Sequence, residues 1–90
     1  MDDGFILREM ENVADELGLD VRYESIYGRG GLCRIEARRC VILNKSSPLS
    51  EVILTFTEAL SRFPLEDLFI HPQIRELLEH CERSSLLKTP

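Results

Sequence analysis

The chain has 90 residues, 43% hydrophobic and 30% charged, which suits one small core and is too apolar for a disordered segment. Sixteen acidic against 11 basic residues give a formal net charge of −5, opposing the phosphate contacts that dominate nucleic-acid affinity and disfavouring nucleic acid as a partner. The acidic start Met1-Asp2-Asp3-Gly4 lacks a secretory leader's basic and apolar regions, no apolar run reaches membrane-spanning length, and Cys33, Cys40 and Cys81 are an odd set for a disulfide scaffold, so a reduced cytoplasmic setting without a membrane partner is expected.

Ile6, Met10, Val13, Ala14 and Leu17 recur at helical spacing, which predicts a first helix over residues 5–17, stopped by Gly18 as a left-handed cap. From Leu19 the period switches to two, with Val21 and Tyr23 on one face and Arg22 and Glu24 on the other, as in a strand with one wet face. Gly28, Gly30 and Gly31 then mark a sharp connection. A phosphate cradle is the sharper reading of those glycines, but no helix N-terminus follows and the lysine of a P-loop is absent.

Residues 32–35 and 39–44 form two β-rich runs close enough to pair as an antiparallel hairpin. A turn centred on Glu36 and Ala37 sets Cys33 opposite Cys40. The run Cys40-Val41-Ile42-Leu43 is apolar without alternation, which predicts a strand buried on both faces, either internal or covered by helices on one side and a partner on the other. Ser46-Ser47-Pro48 reads as a serine N-cap with proline at the first helical position, and Leu49, Val52, Ile53, Phe56, Leu60 and Phe63 continue a helix that Pro64 bars beyond Phe63. After an apolar connector, His71-Pro72 starts a last helix with Ile74, Leu77, Leu78 and Cys81 on one face. Residues 84–90 have little to bury and read as a frayed tail, which leaves 1–83 as a single domain. The expected fold is α+β, in the order α-β-β-β-α-α, with helices packed on a three-stranded antiparallel sheet.

The order of parts carries a resemblance: Gly30-Gly31-x-Cys33, a turn, Val41-Ile42-Leu43-Asn44, a serine-proline cap and a helix containing Thr57-Glu58-Ala59-Leu60-Ser61. This resembles the small zincin-like metallopeptidases of the repressor-cleaving type, over roughly the first two-thirds of the chain. The chain as a whole also looks like small bacterial proteins of this length. In the resembled motif two histidines four residues apart hold zinc and the intervening glutamate activates its water. Here Thr57 and Ser61 stand at the histidine positions and only Glu58 matches, so the resemblance implies a scaffold with no metal site and no cofactor.

Glu58 is therefore the one candidate catalytic residue, and Thr57, Glu58 and Ser61 are candidate binding residues, against a plain reading as helix-surface side chains. Arg34 and Arg39, grouped with Arg29 and Arg38, are candidates for an acidic or phosphorylated ligand, against a plain reading as a solvated strand face. Cys33 and Cys40 are a candidate redox pair, while a cysteine-histidine zinc site fails for want of any CxxC pair. The function expected is a non-catalytic interaction or self-association module, with a protein partner or a second copy of the chain. The alternative is an enzyme that uses Glu58 as general base or a cysteine as redox nucleophile.

Overall fold

The computed structural model describes residues 2–88, and side chains as far as Cys81. Helix α1 (Asp3–Glu16) is followed by β1 (Asp20–Glu24), β2 (Gly30–Ile35), β3 (Arg38–Asn44), α2 (Leu49–Leu60) and α3 (Pro72–Lys88), in the α+β order expected. Helix α3 runs through residues 84–88, within the stretch expected as tail, while Met1, Thr89 and Pro90 lie outside the described residues.

Helix α1 starts on the side chain of Asp2, whose Oδ1 accepts the Phe5 N–H at 2.8 Å and so satisfies one of the orphan amides of the first turn. It stops at Gly18, where φ is +75°, and the Leu19 N–H returns to the Ala14 carbonyl at 2.9 Å, closing a Schellman cap. The expected serine cap of α2 is not made. Pro48 is itself the N-cap, its carbonyl accepts from Val52 at 3.1 Å, and Ser46 instead donates its N–H to the Asn44 side chain at 2.9 Å.

The sheet differs from the antiparallel one expected. Its order is β1-β3-β2, with β2 antiparallel to β3 but β1 parallel to β3, Asp20 aligned with Cys40 and Glu24 with Asn44. Strand directions still alternate along the chain, but β1 and β2 are not neighbours. Residues 25–29 carry the chain across two strand spacings, roughly 9.5 Å, and β2 then turns back to insert β3 between them. The outcome places the uninterrupted apolar run of β3 at the centre, where it is paired on both edges. Asn44, at the end of β3, secures the crossing: its Nδ2 donates to the carbonyls of Ile26 at 3.1 Å and Gly28 at 2.8 Å.

The β2–β3 register is the one expected, with Cys33 aligned to Cys40 and a two-residue turn at Glu36-Ala37. Glu36 has φ +57° and is the single non-glycine residue with positive φ among those described. A positive φ at the first central position is the sign pattern of a type II′ turn, which favours glycine there. Glu36→Gly is expected to raise stability by up to about 1 kcal/mol, the relief of left-handed strain exceeding the added unfolded-state entropy. A higher urea midpoint with unchanged slope would show it.

One face of the sheet carries the core. Val41 and Leu43 belong to one buried cluster with Met10, Val13 and Ala14 from α1, Val52, Phe56 and Leu60 from α2, and Ile74 and Leu78 from α3. Helix α1 rests on β1, α2 on β2 and β3, and α3 touches α1 and α2 but no strand, so all three helices lie on the same side. Tyr23 joins the layers through its hydroxyl, which donates to the Glu11 carboxylate of α1. Burial pushes the Tyr23 phenol well above its ordinary value, and the Glu11 hydrogen bond and charge push it further. Since the folded group holds its proton where the unfolded one releases it, stability attributable to Tyr23 is complete below about pH 10 and declines above that. Denaturation between neutral and alkaline pH should show this decline in the native protein and a smaller one in Tyr23→Phe.

Candidate functional site

Helix α2 presents three different surfaces, and the trio Thr57, Glu58 and Ser61 is divided among them. Thr57 is buried, donates to the Ile53 carbonyl at 2.7 Å and lies 3.6 Å from Met10 Sδ, so its face is packed against α1. Ser61 donates to the Glu58 carbonyl at 2.9 Å and lies 3.7 Å from Cys81 Sγ, on the side of α3. Glu58 is exposed and turns toward β2, where its carboxylate pairs with the Arg29 guanidinium.

That pair closes one end of a cleft between β2 and α2. Gly30, Gly31 and Leu32 form one wall, Thr55, Glu58, Ala59 and Arg62 the other, around a volume of about 290 Å³. Arg29 enters from the link before β2 and donates twice, through Nε to Thr55 Oγ1 at 3.1 Å and through its terminal nitrogen to Glu58. Thr55 in turn donates to the Glu51 carbonyl at 3.0 Å, which leaves its oxygen lone pair aimed at Arg29. An ion pair this exposed contributes only about 0.2–1 kcal/mol, so its main effect is to hold Arg29 along the wall. Thr55 and Arg62 were missed in the sequence, although Thr55, Glu58 and Arg62 recur at i, i+3 and i+7, a spacing that could have found this wall.

The arginine group expected around the hairpin is likewise divided. Arg34 and Arg39 are register partners across β2 and β3, and both are exposed. They share the side of the sheet that carries Leu32 and Val41, beyond the end of α2, and the Arg39 guanidinium lies 5.3 Å from the centre of the Phe63 ring. Arg38 points to the opposite side and pairs with Asp20 at 3.4 Å. Like charges directly opposite one another in a sheet are destabilising, so the Arg34–Arg39 pairing carries a small cost that an anion would offset.

Among the described residues, no helix covers the opposite face of the sheet. Alternation from the register places Gly31, Cys33, Ile35, Arg38, Cys40 and Ile42 on it, with Asp20, Arg22 and Glu24 of β1 alongside. Cys40 is fully buried there, between its neighbour Cys33 and the Arg38–Asp20 pair, while Ile35 is 38% exposed and Ile42 half-buried. Cys33, Cys40 and Cys81 are unbridged thiols. The first two are adjacent across the ladder, and Cys81 belongs to the helical side.

Among the described residues, no three of histidine, cysteine, aspartate and glutamate converge on one point where an ion would sit. His71 caps α3, its Nδ1 accepting the Gln73 N–H at 3.2 Å, and stacks edge-on against Phe5 with ring centres 5.2 Å apart. His80 is exposed and lies in the middle of α3. Among the described residues no helix is long and apolar enough to cross a membrane.

The fold and site together define a small α+β domain with a polar cleft on one side of its sheet and a half-apolar open face on the other. Comparison with protein-family models, with curated proteins and with solved structures finds no match to this chain.

Proposed function

We propose that this domain is a non-catalytic interaction module that associates with a second copy of itself through the open face of its sheet. The observation that carries the reading is the central strand: β3 is apolar on both faces, yet helices cover only one of them. Cys33, Ile35 and Ile42 surround the buried Cys40 as an apolar centre on the uncovered side. A contiguous apolar patch on a sheet face marks an association surface.

The charges around that centre favour a copy of the chain over a partner of one sign. Along β1 they alternate as Asp20, Arg22 and Glu24, with Arg38 next to Asp20. These mixed signs give no advantage to a partner of one charge, and a second copy presents the same patch, as an isologous interface requires. In this reading the zincin-like order of parts is a likeness of architecture. The two positions that would hold metal ligands are a threonine packed on Met10 and a serine beside Cys81.

Sedimentation at rising concentration tests the proposal. The native chain should pass from monomer to dimer, and Ile42→Glu, which buries two carboxylates in the interface and leaves the helix side intact, should remain monomeric while folded by circular dichroism. A native chain that sediments as a monomer at its highest soluble concentration would sink the reading.

A further inference from the structure

Strand β2 is an edge strand: β3 is its neighbour on one side and, among the described residues, no strand pairs with the other. The pair Ile35–Arg38 closes a two-residue turn and exchanges hydrogen bonds, and alternation along the ladder then makes 33–40 and 31–42 the bonded pairs. Leu32 and Arg34 therefore turn their backbone N–H and C=O groups outward. Natural sheets protect such edges by covering or charging them. Here the outward edge adjoins the cleft walled by Thr55, Glu58, Ala59 and Arg62, so the space beside it is open and floored by α2.

The charge around this edge has one dominant sign, although the chain as a whole is acidic. Residues 28–45 carry Arg29, Arg34, Arg38, Arg39 and Lys45 against Glu36 alone. On the cleft side, Glu58 is taken by Arg29, and among the described residues Arg34, Arg39 and Arg62 have no carboxylate within ion-pair distance. We infer that the β2 edge and its cleft form a docking site for an extended, acidic segment of a partner protein, which adds to the sheet as a fourth strand. Backbone pairing at Leu32 and Arg34 supplies the attachment and fixes the register. Alternate side chains of the added strand then fall over the cleft, where carboxylates meet Arg62 and the Arg34–Arg39 pair in the forked geometry that guanidinium groups favour.

A second copy is a poorer occupant of this edge through its own β2, because two such strands side by side bring both sets of arginines together. The site is also distinct from the open sheet face, so the two proposals fail separately.

Titration of the isotope-labelled protein with an eight-residue peptide of alternating glutamate and threonine tests the inference. Amide shifts should move in residues 30–35, and affinity should fall steeply with salt. The same peptide N-methylated at alternate amides, unable to pair with an edge, should lose at least tenfold, and so should the double variant Arg34→Glu, Arg62→Glu against the unmodified peptide. Ile42→Glu should bind as the native chain does, whatever it does to association. The inference is overturned by equal binding of a lysine-threonine peptide, by indifference to N-methylation, by shifts confined to the open sheet face, by tighter binding of a mixed single-stranded oligonucleotide, or by concentration-dependent shifts in residues 30–35 without any peptide.

Discussion

Gly30→Ala is expected to lower stability by about 3 kcal/mol, a large share of what a chain of this size has and enough to move the urea midpoint far down. At φ +88° a Cβ on residue 30 lies 2.0 Å from the carbonyl oxygen of Ile42, a backbone atom of the central strand that cannot rotate away. The left-handed conformation alone costs an L-residue about 1–2 kcal/mol, and displacing a ladder carbonyl adds the loss of its hydrogen bond and of strand pairing around it. Gly18→Ala is the matching control, since φ is +75° there but no atom lies within 4 Å of the added Cβ. Its cost should stay near the strain term. Urea denaturation of both variants separates the two contributions, and equal losses would show that the close approach of β2 to β3 is not what requires glycine.

The glycine-rich stretch reads in the sequence as turn punctuation, and its consequence for packing is visible only once β2 lies against Ile42. A similar boundary runs through the rest of the fold. The three helices are legible because their apolar residues recur at helical spacing, and the β2–β3 register is legible once the short turn is centred on Glu36 and Ala37. The parallel pairing of β1 with β3 is not, because nothing in residues 25–29 states how far the link travels before the next strand begins. Asn44 holds that link in place, but its partners at Ile26 and Gly28 become neighbours only after the crossing is made.

The cleft divides in the same way. The wall on α2 is written in the spacing of Thr55, Glu58 and Arg62, whereas Arg29 meets Glu58 across 29 residues of chain. That meeting depends on strand order, which local pattern does not determine. Reading Thr57, Glu58 and Ser61 as one group rested on their resemblance to a metal-binding helix. Which face of α2 is buried depends instead on where α1 packs, and Met10 takes the side of Thr57. Arg34 and Arg39, by contrast, were grouped by their concentration around the hairpin, and its register sets them opposite one another while Arg38 turns to the other face.

Phe56→Ala is expected to cost about 3–5 kcal/mol. Phe56 is fully buried and heads the fully buried side chains by volume, with Met10, Leu43, Leu60, Ile74 and Leu78 in the same cluster. Because that cluster draws on α1, β3, α2 and α3 at once, the cavity cannot close by moving one element. A chain of 90 residues has about 5–14 kcal/mol of stability to lose, so the variant should unfold at much lower urea. The cleft should loosen before the fold fails, since Phe56 anchors the helix whose Thr55, Glu58 and Ala59 line the cleft. Amide exchange at low denaturant would therefore rise first in α2 and in residues 29–32. Phe56→Leu, which keeps most of the volume, should cost less than half as much, and near-equal losses for Ala and Leu would mean that ring shape rather than filled volume holds α2 against the sheet.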